Sequence, residues 1–358
     1  MDVSPYIPKH RDVIHIDQPE QQLLSRLAKR QLIVEMEKAQ EIFEAAVQAE
    51  EAGDSDTAIR LYEQSSLLAP QHPLPLLRLA ILLFKLSKWK QAIRVGRQVT
   101  KRQPRADPYC VIARSYAELG RWKMAERFYR QSLAIKQKPW TWVLLGWALD
   151  RLGRHDEAEE CLRKALKVDP DYDEAHYNLG YIYRGKGKFA LAEKHLRRAI
   201  EIDPKYALAY GELGALLAGQ KNRTKEGVSC LRNALDHDPN DGWSIAYLAN
   251  ALWKLRKLKA AEEQYRRLIE LWPNHSLSYW CYGDFLAIER NDSSTAEWYL
   301  RKAVEVEPKG EITNYYLGKH LLYWDREEEA KRFLTNAARL GHAKARELLQ
   351  QLKDTASG

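Results

Sequence analysis

Apolar and polar positions in this chain alternate with two periods at once. Over short stretches the apolar residues fall three and four apart, the spacing that lines one face of an α-helix. The run Trp142, Leu145, Gly146, Leu149, then Ala158, Leu162, Ala165, then Pro170 shows two such stretches closed by a proline. The same block returns along most of the chain. Pro70, Pro104, Pro170, Pro204, Pro239, Pro273 and Pro308 are separated by 34, 66, 34, 35, 34 and 35 residues. The 66-residue gap holds two blocks, because the one ending near Gln137 lacks the proline. A block this long predicts two short helices, too few to bury an apolar face alone. Neighbouring blocks must stack to make a core.

Local chemistry supports the same punctuation. Proline after Asp169, Asp203 and Asp238 stops the second helix of a block, since it disfavours helical geometry in the residue before it. Gly120, Gly153 and Gly187 fall at the turn between the two helices, where a left-handed residue is commonly needed. Small residues mark the point where the helices cross: Ala58, Ala92, Ala125, Ala158, Ala192, Gly227, Ala261, Ala296 and Ala330. Gly227 accompanies an extra residue in the segment 218–226, so this helix turn is expected to be the loosest.

This register resembles the tetratricopeptide repeat, a helix–turn–helix module of 34 residues. Nine units follow, at 39–72, 73–105, 106–138, 139–172, 173–206, 207–241, 242–275, 276–310 and 311–344. The resemblance implies an all-α, right-handed α-solenoid of about nine tetratricopeptide-like repeats with a C-terminal capping helix. Residues 1–38 read as an N-terminal extension, with a disordered or extended start over 1–18 and a helix over 20–36. That helix either caps the open end of the stack or serves as a partner-binding arm. Residues 345–358 read as the end of the capping helix and a tail.

Composition narrows the class further. The chain has 358 residues, 45% hydrophobic and 30% charged, with no apolar run of 18 or more to span a membrane. Its first residues lack a basic-then-apolar secretory pattern. Cys110, Cys161, Cys230 and Cys281 are far apart and form no C-x-x-C pair, which reads as reduced thiols and a cytoplasmic location. The net charge of +8 is unevenly placed: residues 1–72 carry 7 basic and 13 acidic side chains, residues 73–138 carry 16 and 3. So polarised a block steers acidic partners at long range.

No P-loop, G-x-G-x-x-G, G-x-S-x-G or H-E-x-x-H motif occurs, and His176 and His195 lack a third ligand at metal spacing. The expectation is a protein without catalytic residues, cofactor or metal. In the repeat family it resembles, positions 2, 5, 6, 9, 12 and 13 of each first helix line the concave surface. Carried over, these give a partner-binding groove of Trp140, Trp147, Tyr177, Asn178, Tyr181, Arg184, Trp243, Tyr247, Asn250, Trp253, Trp280 and Tyr315. Five of the 11 tryptophans fall on this stripe, where the fold itself needs only one large residue at position 4. Tight winding would bury these rings between neighbouring first helices; left open, they would form an apolar patch of the kind that marks a binding surface. Only Asn178 fits the family's asparagine ladder at position 6, and no carboxylate clamp assembles from consecutive units, so capture of a chaperone tail is not expected.

Seven successive units carry arginine at one position of the second helix, from Arg97 to Arg301, and five of them place glutamate four residues earlier, the favoured helical pair. The second unit does not, because Ile93 precedes Arg97. Lys90, Arg94, Arg97, Lys101, Lys123, Arg127 and Arg130 therefore form a basic patch on second helices. The function these readings favour is a non-enzymatic scaffold holding a peptide or helix in its aromatic groove, with the basic patch for an acidic partner. A solenoid binding RNA or another single-stranded nucleic acid, or a regulatory subunit of an enzyme complex, are the alternatives.

Overall fold

A computed structural model describes residues 18–290 and 292–357 of the chain. The extended start expected over 1–18 falls almost wholly outside the described residues. Nineteen helices make up the described part, and no strand occurs among its residues. The chain is an all-α solenoid of about nine helix–turn–helix repeats with a capping helix at its C-terminal end. It divides into two compact units, 1–161 and 162–358.

The first unit contains α1 (Gln18–Glu51), α2 (Ser55–Leu68), α3 (Leu74–Lys85), α4 (Trp89–Arg102), α5 (Ala106–Glu118), α6 (Trp122–Ile135) and α7 (Pro139–Arg151). Helix α8 (His155–Val168) carries the division between Cys161 and Leu162. The second unit continues with α9 (Asp173–Gly185), α10 (Phe189–Ile202), α11 (Ala207–Gly219), α12 (Thr224–His237), α13 (Gly242–Lys254) and α14 (Leu258–Leu271). It closes with α15 (Ser276–Glu289), α16 (Ser293–Val306), α17 (Glu311–Tyr323), α18 (Glu327–Leu340) and α19 (Ala343–Ser357).

Within each unit odd and even helices pair as antiparallel hairpins, and the crossing residues explain why. Ala58, Ala92, Ala125, Ala158, Ala192, Ala261, Ala296 and Ala330 are all fully buried. A methyl group is as much as the closely packed helices admit. At Gly227 the crossing leaves no room even for that methyl group. A Cβ there would lie 2.5 Å from Ala218 N and 2.7 Å from Gly214 O. The backbones of α11 and α12 touch, so even alanine is too large.

The turn between α11 and α12 holds no left-handed residue, whereas most of the hairpin turns hold one. Gly53, Gly120, Gly153 and Gly187 supply it with φ of 82°, 68°, 75° and 69°, while Ser87, Arg256 and Asp325 adopt it at 57°, 59° and 59° without being glycine. At the end of a repeat the proline carbonyl is met from the following first helix: Tyr279 Oη donates to Pro273 O at 2.8 Å, Asn314 Nδ2 to Pro308 O at 3.0 Å. At the C-terminal end, Leu348, Leu349 and Leu352 of α19 pack on Leu334 and Ala337 of α18. This is how the stack covers its last apolar face.

Candidate functional site: an aromatic depression and a basic face

First helices α9, α11, α13, α15 and α17 neighbour one another in sequence of repeats within the second unit. Four of the expected groove residues, Tyr247, Asn250, Trp253 and Trp280, line one open depression of about 570 Å³ there, together with Lys254, Asp284 and Tyr316. Trp280 and Tyr316, one repeat apart, stack nearly parallel with centroids 4.6 Å apart and planes at 16°. Such offset stacking favours a ring pair beyond the area it buries.

Polar groups around the rings are fixed rather than loose. Trp253 is only half-exposed, contrary to a ring left open to solvent, because its Nε1 donates to Glu289 Oε1 at 2.7 Å and its edge meets Phe285. Asn250 Oδ1 accepts from Tyr265 Oη at 2.6 Å, which turns that amide toward the second helix of its own repeat. Lys254 Nζ donates to Ala218 O at 3.1 Å. Asp284 is 8% exposed; its Oδ1 accepts from Lys319 Nζ at 3.0 Å and from His320 Nε2 at 2.7 Å. Burial works to raise its pKa, yet the His320 hydrogen bond and the Lys319 charge outweigh this and hold it below the usual carboxylate value. Burial pushes the Cys281 thiol well up, so this cysteine in the lining stays protonated.

The remaining expected groove residues of this unit lie around other centres. Arg184 Nε pairs with Glu212 at 2.7 Å, and Tyr247 also hydrogen-bonds Arg184. Burial raises the pKa of Glu212, with the Arg184 charge opposing it. Tyr181, 44% exposed, lies beneath the Arg184 guanidinium. Tyr177 packs on Tyr206, and Asn178 spends its amide on Glu174 O of its own helix at 2.6 Å. Trp243 is 49% exposed and edge-on to Trp272. Tyr315 stacks on His342. In the first unit, Trp147 is 40% exposed and stands edge-on to Trp122, and Trp140 is half-exposed below Lys138.

On the second helices the arginine row is more than a set of pairs within one helix. Glu126, Glu193, Glu262 and Glu297 each bind their own arginine four residues on: Arg130, Arg197, Arg266 and Arg301. Each also binds an arginine from the next hairpin: Arg154 at 2.8 Å, Arg223 at 2.5 Å, Arg290 at 2.6 Å and Arg326 at 2.7 Å. Spacing within one helix does not reveal these second partners. Their signal was an arginine 28 to 30 residues after each glutamate, at the hairpin turn.

Helix α4 departs from this pattern. Arg97 donates to Tyr116 Oη at 2.7 Å, in the absence of an acid at Ile93. Lys90, Arg94 and Lys101 are exposed around it, as are Lys123 and Arg127 of α6, and none of these five is ion-paired among the described residues. Arg130 has to be removed from the patch: Glu126 and Glu157 neutralise it. No ring on α4 or α6 is exposed, since Trp89 and Trp122 are half-buried and Phe128 and Tyr129 buried.

No curated protein sequence matches the chain. Its fold is similar to that of the Cut9–Hcn1 hetero-tetramer of the APC/C, with a TM-score of 0.60 and 17% identity over 75% of this chain. This chain spans about half of that one, 52% of its length. It is also similar to the human IFIT1 dimer with m7Gppp-AAAA, with a TM-score of 0.56 and 16% identity over 83% of this chain and 80% of that one. At such identities the likeness is one of fold. Two family patterns match the sequence itself, one described as tetratricopeptide repeat over 213–276 and 247–311, the other over 20–221. By that second match, which takes in more than half of its residues, the chain belongs to the tetratricopeptide-repeat family described as the cilia and flagella-associated protein 70 C-terminal domain.

Proposed function

We propose that the chain is a non-enzymatic scaffold whose aromatic depression in the second unit holds an extended or helical segment of a protein partner. The supporting observation is convergence. Tyr247, Trp253, Trp280 and Tyr316 come from three helices yet face one open depression, and its polar groups are already oriented by Glu289, Lys319 and His320. Tyrosine and tryptophan dominate binding energy at protein interfaces because they bring large rigid area and a hydrogen-bonding handle. The exposed lysines and arginines of α4 and α6 would meet a second, acidic surface. The family description directs the search for both partners to cilia and flagella.

Selection from a library of linear peptides tests the first half. Selected ligands should lose about tenfold or more in affinity to Trp280→Ala plus Tyr316→Ala, a loss of about 1.4 kcal/mol or more. They should be indifferent to Arg94→Glu plus Lys101→Glu. Ligands unaffected by the aromatic pair would show that the depression is not where they bind. Nucleic-acid binding is the second reading, favoured by the capped oligonucleotide that human IFIT1 holds in a similar fold. It lacks an exposed ring beside the unpaired cations, which single-strand binding uses to stack bases. Oligonucleotide affinity that is micromolar at low salt and falls steeply as salt rises would promote it over the first.

A further inference from the structure

Helix α1 is 34 residues long against 14 for its hairpin partner α2. The first buried side chain described on it is Ala39, whose carbonyl accepts from Ser65 near the end of α2 at 2.8 Å. Residues 18–35 therefore run past the hairpin, about 27 Å of helix at 1.5 Å per residue. Ile33, Val34 and Met36 are 53%, 61% and 45% exposed on it. Ile33 and Met36 also border an open depression of about 610 Å³, completed by Phe43 and Pro75.

The charges on this helix are ordered. At 100° per residue, Arg26, Arg30, Ile33, Glu37 and Glu41 share one face, each three or four positions beyond the last. Read along the axis, that face is basic, then apolar, then acidic. All five side chains are exposed, and none of the four charges is ion-paired among the described residues. Such a face is complementary to itself only when reversed.

We propose that α1 pairs antiparallel with α1 of a second copy of this chain, about a twofold axis between Ile33 and Val34. Arg26 then faces Glu41 of the second copy, and Arg30 faces its Glu37. Both ion pairs recur by symmetry, which is the self-complementary contact a twofold interface requires. Ile33 and Val34 cover each other at the centre. Lys29 and Lys38 flank the face on opposite edges, so the two lysines do not meet. Because each hairpin packs against the part of α1 from Ala39 onward, the two bodies lie at opposite ends of the helix pair.

The full chain is the right test material. Light scattering on the eluting wild-type protein should give twice 41.6 kDa at tens of micromolar. Arg26→Glu plus Arg30→Glu makes the face wholly acidic; Glu37→Arg plus Glu41→Arg makes it wholly basic. Each variant alone should elute as a monomer with unchanged helical circular dichroism. Mixed in equal amounts, they should associate at least about tenfold more tightly than either with itself. A monomeric wild type overturns the pairing. So do variants that stay dimeric alone, or folded variants whose mixture remains monomeric.

Discussion

His320 Nε2 lies 2.7 Å from Oδ1 of Asp284, joining α17 to α15 through two side chains that are 3% and 8% exposed. Lys319 reaches the same oxygen, so one carboxylate positions two neighbouring residues of the next repeat. Removing only the carboxylate charge, as Asp284→Asn, leaves the buried imidazole with a weaker partner and Lys319 without a counter-charge. An unmatched buried donor costs roughly 1–3 kcal/mol. Urea unfolding should show a loss of that size, with the slope unchanged. A midpoint that does not move would mean solvent already satisfies the pair. Since the folded pKa of Asp284 is depressed, its contribution is complete above the ordinary carboxylate value and lost as pH falls through the lowered one.

The ion-pair network on the second helices carries a pH dependence of its own. The hydrogen bond from Arg223 leads the effects that bring Glu193 down to about 2, with Arg197 adding to it. Folded below unfolded is the carboxylate case: the stabilisation is full above about 4.5, the ordinary glutamate value, and disappears as pH drops toward 2. Partly exposed pairs of this sort are worth about 0.2–1 kcal/mol each. A double-mutant cycle of Glu193→Gln and Arg223→Gln at pH 7 should give a coupling within that range, and near pH 2 only a small remainder of it. Equal coupling at both pH values would contradict the assignment.

Gly227 is constrained by backbone rather than by turn conformation. Alanine, the residue at the equivalent position of every other repeat, would press its methyl into Ala218 and Gly214. Overpacking typically costs about 1–3 kcal/mol, and here the opposing atoms are main chain and cannot rotate away. Gly227→Ala should lower the denaturation midpoint by strain, whereas Ala192→Gly, at the same register one repeat earlier, should cost about 0.5–1 kcal/mol from helix propensity plus about 0.8 kcal/mol for the lost buried methyl. A neutral Gly227→Ala would show that α11 and α12 can part freely.

The architecture could be read from the chain because its determinants are local and repeated. Proline at the repeat end and alanine at the crossing each act within one hairpin, and both recur at the same spacing. The candidate site was less legible. Offsets on a helix identified Tyr247, Trp253 and Trp280 as neighbours on one face, but whether a side chain there stays open depends on partners from other helices. Glu289 closes over Trp253, and Tyr265 claims Asn250. Neither partner lies on the helix it constrains. The same limit hid Arg223 from Glu193, and it placed Arg130 in a patch that Glu157 helps to neutralise.

Ser87 gives the last test, on conformation alone. It holds φ at 57° in the turn between α3 and α4, where four other hairpins use glycine, and its side chain is exposed. The left-handed region costs an L-residue about 1–2 kcal/mol, a penalty that glycine lacks. Glycine also gives back part of this by making the unfolded chain more flexible, by roughly 0.4–1 kcal/mol. Ser87→Gly should therefore stabilise the first unit modestly, while Gly120→Ser, the reverse change one repeat later, should destabilise it. Both effects belong to the same turn geometry, so they must carry opposite signs in thermal unfolding. Like signs would mean that these turns relax out of the left-handed conformation once the glycine is replaced.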